Sequence, residues 1–281
     1  MIKLAVIGDP IAHSLSPTVH GAVLRYLDIP FSYETCRVQR GGLEEFLSYA
    51  EKTGLTGFNL TMPHKVDILP YLDAVEGTAE RLQSVNTVRL EHGKRIGYNT
   101  DGGGYVQGLK QAGESFAQKR VMLLGAGGVA RTLAAEAAAE GAKKIVIHNR
   151  STEKADAVAE FASAFGKCAI ESRPWSPEEL RLSASGCDLL IQATPLGMEG
   201  IDADYTDLSF LEALPEGATV TDLIYRPEKT RLLKQAEQSG KKILNGLPML
   251  IFQAILADEI YLNKELPKEE LFHAAKKAIL L

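Results

Sequence analysis

The segment Gly125-Ala126-Gly127-Gly128-Val129-Ala130 constrains the fold of this 281-residue chain more than any other feature. It follows a short apolar run, Val121–Leu124, and precedes a stretch with helical periodicity that continues to Glu140. A second apolar run, Lys144–His148, comes next. Glycines at the first and third positions and a small residue at the sixth, between a strand and a helix, are typical of a loop that lies against a pyrophosphate. The sequence therefore predicts an α/β fold with a Rossmann-type βαβ unit.

The residues after the second apolar run predict which dinucleotide binds. An NAD site carries Asp or Glu at this strand end, to accept a hydrogen bond from the ribose 2′-hydroxyl. This chain instead has Asn149-Arg150-Ser151-Thr152-Glu153-Lys154. The guanidinium of Arg150 suits a 2′-phosphate, and Lys154 adds charge one helical turn later. We therefore predict NADP, although Glu153 leaves the strength of this preference open and a solvated basic surface is the alternative.

Length and composition narrow the class of protein. A chain of 281 residues predicts about two domains. Its net charge of −5 argues against a nucleic-acid or anionic-membrane partner, and no apolar stretch approaches the roughly 18 residues of a membrane span. Its three cysteines are far apart, which excludes a disulfide scaffold and favours a reducing compartment, the cytoplasm. None of the six histidines has metal-ligand spacing, so we predict no metal site.

Two α/β patterns follow one another along the chain. We predict a substrate-binding catalytic domain over residues 1–101, completed by C-terminal helices over 241–281, and a nucleotide-binding domain over 102–240, with a cleft between them. Val85–Leu90 and Arg95–Tyr98 are predicted to form a hairpin. The polar segment Trp175–Glu179 is expected to lie between elements.

The first polar cluster is His13-Ser14-Leu15-Ser16-Pro17, at a predicted helix start. The hydroxyls of Ser14 and Ser16, together with backbone N–H groups, can hold a carboxylate at this position. Capping of the helix by Ser16 is the alternative.

The second cluster is Asn59-Leu60-Thr61-Met62-Pro63-His64-Lys65, at the carboxyl end of a predicted strand, where open α/β sheets bind ligands. Lys65 is a candidate general acid and base. A third group, Asn86-Thr87 with Asn99-Thr100-Asp101, supplies amides and a carboxylate that could orient Lys65. Such a set of donors and acceptors suits a hydroxylated substrate.

These segments together resemble one known family. The set HSLSP, NLTMPHK, SVNT, NTD, GAGGVA, NRS, ATPLG, DLIY and NGLPMLIFQ runs in order from about residue 8 to residue 260. In this order and spacing it is similar to the shikimate dehydrogenases. The resemblance implies an NADP-dependent oxidoreductase that reversibly reduces 3-dehydroshikimate to shikimate, on the route to chorismate and the aromatic amino acids.

The resemblance also implies roles for individual residues. Ser14 and Ser16 would bind the substrate carboxylate, and Lys65 would transfer the proton with Asp101 as its partner. The ring hydroxyls would meet Thr61, Lys65, Asn86, Asp101 and Gln253, and Tyr225 would line the same pocket. NADP would be held by Gly125, Ala126, Gly127, Gly128, Val129, Ala130 and by Asn149, Arg150, Ser151, Thr152, Glu153, Lys154, with Thr194, Leu223 and Gly246 at its nicotinamide end.

Two other functions stay open from the sequence alone. One is a quinate/shikimate dehydrogenase that uses either cofactor, which an acidic residue at position 149 or 150 would have favoured. The other is a sensor that binds a shikimate-like ligand without catalysis, which loss of Lys65 or Asp101 would have indicated. A homodimer is also open, because no motif speaks for or against it.

Overall fold

A computed structural model describes residues 1–280, and it divides the chain into two compact units. The first unit comprises Met1–Gly104 and the chain from Ile251 onward, and the second comprises Tyr105–Leu250. Each unit has its own six-stranded sheet, which confirms the predicted α/β class. Within residues 1–280, no helix combines the length and the apolarity that crossing a bilayer requires.

The sheet of the first unit has the order β2-β1-β3-β5-β6-β4. Its strands are β1 (Ile2–Gly8), β2 (Phe31–Arg37), β3 (Gly57–Leu60), β4 (Ala74–Val75), β5 (Thr87–Glu91) and β6 (Lys94–Tyr98). β1 pairs in parallel with β2 and β3, whereas β5 runs antiparallel to both β3 and β6. The β5–β6 pair confirms the predicted hairpin.

The sheet of the second unit is parallel throughout, in the order β12-β11-β10-β7-β8-β9. Its strands are β7 (Arg120–Leu124), β8 (Lys144–Asn149), β9 (Ala169–Pro174), β10 (Leu189–Gln192), β11 (Thr219–Asp222) and β12 (Lys242–Leu244). The strand order reverses between β7 and β10. In doubly wound sheets, ligands bind outside the carboxyl ends of the strands at this point.

The helices pack on both faces of the two sheets. They are α1 (Ser16–Tyr26), α2 (Leu43–Thr53), α3 (His64–Asp67), α4 (Thr78–Leu82), α5 (Asp101–Gln111), α6 (Gly128–Ala139), α7 (Thr152–Ser163), α8 (Pro177–Ala184), α9 (Arg231–Gln238), α10 (Leu247–Leu262) and α11 (Lys268–Leu280). Local sequence sets several boundaries. Gly54 ends α2 in the left-handed conformation, and the Ser151 and Ser176 hydroxyls accept backbone hydrogen bonds that begin α7 and α8.

The apolar core of the second unit follows from the alternation of side chains along a strand. In β7, Val121 and Leu123 face one cluster that includes α6, while Met122 and Leu124 face another that includes α8 and α9. A strand buried on both faces is apolar at every position, which is why this run was visible in the sequence.

Three expectations from the sequence are wrong. Ser16 is the first residue of α1 and not its cap, which is Leu15. Residues 242–244, expected to be helical, form β12, because they pair with β11 at the sheet edge. The segment Trp175–Glu179 is not a connection, since α8 begins at Pro177 within it.

Candidate active site

Lys65 lies on the short helix α3, directly after β3. The helix is anchored at Lys65 and at the residue before it. The buried His64 ring donates to the carbonyl oxygen of Val38 at 2.6 Å, and the backbone N–H of Val85 donates to the carbonyl oxygen of Lys65 at 2.8 Å. The Lys65 side chain is 23% exposed and extends to Asp101, where Nζ donates to Oδ2 at 2.5 Å. The structure thus forms the predicted ion pair.

Asp101 is the first residue of α5, and its side chain is 11% exposed. Its second oxygen, Oδ1, accepts a hydrogen bond from Asn86 Nδ2 at 2.8 Å. Both carboxylate oxygens are therefore occupied, one by an ammonium and one by an amide. A carboxylate held in this way cannot rotate freely, so it fixes the direction in which the Lys65 ammonium points.

Ser14 and Ser16 come together at the start of α1. The backbone N–H of Ser16 donates to Ser14 Oγ at 3.3 Å. The Ser14 hydroxyl therefore accepts from the first backbone N–H of α1, whereas the cap residue, Leu15, contributes no side-chain hydrogen bond. Two hydroxyls beside the N-terminus of an 11-residue helix form a suitable site for a carboxylate.

Gln253 lies on α10, close to the first turn of α5. A Cβ at Gly104 would come within 2.7 Å of the Gln253 backbone nitrogen, so the glycine lets the two helices approach this closely. Thr61 follows β3 and packs its methyl group against Gly8 of β1. Ser14, Ser16, Thr61, Lys65, Asn86, Asp101 and Gln253 all belong to the first unit.

The glycine loop of the second unit connects β7 to α6 at the point where the strand order reverses. Gly125 has φ of +112°, and a Cβ there would lie 2.9 Å from the carbonyl oxygen of Ala193. Gly127 and Gly128 are different, because their Cβ atoms would meet no heavy atom within 4 Å among residues 1–280. The protein fold alone does not require glycine at these two positions. They leave a space above the α6 N-terminus, which no side chain in the described chain caps.

The segment after β8 supplies the basic side chains. Arg150 and Lys154 are exposed, and neither forms an ion pair with another residue of the part that the structure describes. The acidic residue between them is engaged elsewhere. The Ser151 hydroxyl donates to Glu153 Oε2 at 2.8 Å, and this hydrogen bond lowers the pKa of Glu153.

Thr194, Leu223 and Gly246 lie just beyond the carboxyl ends of β10, β11 and β12 in the same sheet. The Gln192 side chain holds the backbone of Thr194, accepting from its N–H at 2.7 Å and donating to its carbonyl oxygen at 2.9 Å. Leu223 follows β11 and lies against Gly246, where a Cβ would overlap the Leu223 carbonyl oxygen. Tyr225 belongs to this second unit and not to the unit that holds Lys65.

Comparisons with known proteins decide the family. Residues 6–88 match the shikimate dehydrogenase substrate binding domain, and residues 108–196 match the shikimate / quinate 5-dehydrogenase family. The shikimate dehydrogenase (NADP(+)) of Alkaliphilus oremlandii (strain OhILAs) is 38% identical over 263 residues, covering 93% of this chain and 92% of that protein. The chain belongs to the shikimate dehydrogenase family.

Two solved structures of the family extend the comparison. Shikimate 5-dehydrogenase from Thermus thermophilus, in complex with NADP(H) and shikimate, has a TM-score of 0.86 at 33% identity and covers 99% of this chain and 100% of its own. The Listeria monocytogenes enzyme, in complex with shikimate and NAD, has a TM-score of 0.89 at 32% identity, with coverages of 100% and 96%.

Three polar residues without a predicted role lie beside this candidate site. The sequence patterns assign no individual role to Tyr33 on β2, to Asn59 or to Thr87. The structure pairs Asn59 with Thr87 across β3 and β5, and Tyr33 donates to Asn59 Oδ1 at 2.8 Å. Polar residues inside strand patterns were a signal for Asn59 and Thr87. No local signal marked Tyr33, because a tyrosine in a strand is ordinary.

Proposed function

We propose that this protein is an NADP-dependent shikimate dehydrogenase that interconverts 3-dehydroshikimate and shikimate. The observation that carries the proposal is the Lys65–Asp101 pair, held by Asn86 in the first unit of a chain that belongs to this family. A proton donor of this kind is what reduction of a ketone needs, because the carbonyl oxygen gains negative charge as the carbon is reduced.

In the proposed reaction, the first unit binds and orients the substrate. The Ser14 and Ser16 hydroxyls and the start of α1 bind its carboxylate. Thr61, Asn86, Asp101 and Gln253 contact its hydroxyl groups. The Lys65 ammonium donates a proton to the carbonyl oxygen, and in the reverse direction the neutral amine accepts the proton of the alcohol. Asp101 keeps Lys65 Nζ directed throughout.

The second unit has the residues that an NADP site needs. The open space above Gly127 and Gly128 fits a pyrophosphate at the α6 N-terminus, with Ala126, Val129 and Ala130 completing the loop. Arg150 and Lys154 would bind the 2′-phosphate, and Thr194, Leu223 and Gly246 would border the nicotinamide. When bound, NADPH supplies the hydride that reduces the carbonyl carbon.

The test is a spectrophotometric assay at 340 nm with purified protein, shikimate or quinate, and NADP⁺ or NAD⁺. We expect turnover with shikimate and NADP⁺, and at most weak turnover in the other three combinations. Comparable turnover with quinate or NAD⁺ would replace the proposal by a broader quinate/shikimate dehydrogenase. Binding of shikimate without turnover in any combination would indicate a sensor.

The proposed function also includes a location and an assembly. We infer that the enzyme works in the cytoplasm, because Cys36, Cys168 and Cys187 are free thiols, as expected in a reducing compartment. Whether two copies associate stays a prediction that sedimentation velocity tests. A single monomeric species across the concentration range would exclude the homodimer.

A further inference from the structure

A continuous row of buried polar side chains leads away from the Lys65–Asp101 pair. Asn86, which donates to Asp101, accepts hydrogen bonds at Oδ1 from the Thr87 hydroxyl at 2.9 Å and from the backbone N–H of Thr100 at 2.9 Å. Asn86 and Thr87 are 3% and 0% exposed. The amide that orients Asp101 is therefore itself held by groups with no access to solvent.

The row continues across the sheet. Asn59 Nδ2 donates to Thr87 Oγ1 at 3.1 Å, from the strand position directly opposite. Tyr33 OH then donates to Asn59 Oδ1 at 2.8 Å. Burial raises the pKa of Tyr33 well above its ordinary value. The negative charge of Asp258 raises this pKa further, and a hydrogen bond with the Ser16 hydroxyl lowers it. The Tyr33 phenol therefore keeps its proton and acts as a donor.

Two backbone groups determine the direction of every hydrogen bond in the row. The N–H of Thr100 can only donate, so the atom of Asn86 that faces it is the oxygen, and the amide nitrogen faces Asp101. The backbone carbonyl of Asn86 can only accept, so the Asn59 atom that lies 3.4 Å from it is the side-chain nitrogen. The side-chain oxygen of Asn59 therefore faces Tyr33. All donors in the row therefore point from Tyr33 towards the Asp101 carboxylate.

We propose that Tyr33 is a positioning residue for the proton-transfer pair, acting through Asn59, Thr87 and Asn86. Its single proton reinforces the orientation that the distant Asn86 carbonyl sets for the Asn59 amide, which leaves the Thr87 proton for Asn86 Oδ1. Asn86 then presents its nitrogen to Asp101, and Asp101 keeps Oδ2 for Lys65. This inference rests on the proposed function, in which Lys65 transfers the proton.

Loss of one donor in such a row has a specific consequence. Without the Tyr33 proton, the buried Asn59 oxygen has no partner, and only the long 3.4 Å contact with the Asn86 carbonyl still sets the orientation of the Asn59 amide, so the amide turns more readily. The Thr87 hydroxyl can then donate either to the Asn59 oxygen or to the Asn86 oxygen. Asn86 is therefore held less firmly. Because the geometry of a proton donor strongly affects the rate, the effect should appear in kcat more than in substrate binding.

The chain offers a matched control for removing the Tyr33 hydroxyl. Tyr261 lies in the same buried cluster, and its ring centroid is 6.4 Å from that of His20, which stacks on Tyr33 at 4.8 Å. The Tyr261 hydroxyl is buried but has no hydrogen-bond partner among residues 1–280. Tyr33→Phe and Tyr261→Phe therefore remove the same group from similar surroundings, and only the first interrupts the row.

Kinetics with shikimate and NADP⁺ provide the first comparison. We expect Tyr33→Phe to lower kcat by about threefold to tenfold, the factor that one hydrogen bond corresponds to. Tyr33→Phe removes no group assigned to substrate binding, but it takes a hydrogen-bond partner from the Ser16 hydroxyl, so the KM for shikimate should rise by a smaller factor than kcat falls. Tyr261→Phe should keep the wild-type kcat. Equal kcat values in the two variants, or a change in KM alone for Tyr33→Phe, would overturn the proposal.

A measurement without turnover separates this inference from the proposed function. We would follow hydrogen exchange of the Asn86 side-chain amide by NMR, assigning its signals by their loss in Asn86→Ala. We expect faster exchange in Tyr33→Phe than in the wild type, and unchanged exchange in Tyr261→Phe. Unchanged exchange in both would overturn the positioning role even if the enzyme is active. If the wild type does not oxidise shikimate, the proposed function fails, and the exchange data still decide whether Tyr33 holds Asn86.

A second variant tests the middle of the row. Thr87→Val keeps the shape of the side chain and removes the hydroxyl that connects the Asn59 and Asn86 side chains. We expect it to lower kcat and speed exchange of the Asn86 amide at least as much as Tyr33→Phe. Thr219→Val is its control, since Thr219 is equally buried and donates to Glu114 in the second unit. If both threonine variants gave the same kcat, the row would have no role in positioning.

Discussion

Lys65 and Asp101 are 36 residues apart in sequence, and their side chains meet at 2.5 Å. Lys65 follows β3, and Asp101 begins α5. These two elements are not adjacent in the sequence, so local structure alone does not place the two side chains together. The contact depends on Asn86, which holds the second carboxylate oxygen and lies immediately before β5. Three separate segments of one unit thus build the arrangement that we propose transfers the proton.

Lys65→Ala should reduce kcat by a factor of about 10² to 10⁴, the usual contribution of a positioned general acid. Asp101, Asn86 and the serines stay in place, so the dissociation constant for shikimate should change little. We would measure kcat by absorbance and shikimate binding by calorimetry. Lys144→Ala, which removes a half-exposed lysine paired with Glu171 in the second unit, is the control and should be fully active. If affinity fell in parallel with kcat, Lys65 would be a binding residue.

Gly128→Ala should separate the fold from cofactor binding. The new methyl group meets nothing within 4 Å among the described residues and lies in a helix, so the free energy of unfolding should be unchanged or higher by up to about 1 kcal/mol. The KM for NADPH should rise at least about tenfold, because the methyl group occupies the space for the pyrophosphate.

The control for Gly128→Ala is Gly217→Ala, another position in the second unit where a Cβ meets nothing within 4 Å among residues 1–280. It should leave both stability and KM for NADPH at wild-type values. An unchanged KM in Gly128→Ala would show that the loop does not approach the cofactor.

Arg150→Ala should weaken NADPH binding selectively. Loss of a charge-assisted contact to the 2′-phosphate should raise the KM for NADPH about tenfold to hundredfold and leave the KM for NADH unchanged. Arg181→Ala, which removes an exposed arginine of the same unit, should affect neither value. Equal changes for the two cofactors would contradict a 2′-phosphate contact by Arg150.

Asp222 makes one part of the stability depend on pH. Burial raises the pKa of Asp222 to about 6, with a smaller rise from Asp204, although its carboxylate accepts from the Thr230 hydroxyl at 2.6 Å and the Ile224 N–H at 2.9 Å. The folded protein therefore binds this proton more tightly than the unfolded chain does. The resulting stabilisation is complete at low pH and is lost as the pH rises through 6.

Asp222→Asn removes this titration and keeps the size of the side chain. We expect the free energy of unfolding of the wild type, relative to the variant, to fall by about 2 kcal/mol between pH 4.5 and pH 7. Urea unfolding of both proteins at four pH values across this range measures the difference. A difference that does not vary with pH would show that Asp222 has an ordinary pKa.

In the sheet of the second unit, central strands could be predicted from the sequence, and the two edge strands could not. β7 and β10 are buried along nearly their whole length, so their apolar runs were sufficient. β9 contains Glu171 and Arg173 and is only partly buried, because it lies at the edge of the sheet. β12 is an edge strand of three residues. Such strands form through pairing with a neighbour, and their own residues carry little apolar signal.

The sequence by itself determined what depends on neighbours along the chain. The glycine loop, the basic residues after β8 and the grouping of Ser14 with Ser16 are local features, set by backbone freedom, charge and spacing. Tertiary structure decided which of these groups touch. The register of β3 and β5 places Asn59 opposite Thr87, and packing of β2 beside β1 brings Tyr33 within reach of Asn59. Hydrogen bonds between strands distant in sequence depend on pairing and burial, and no local pattern encodes them.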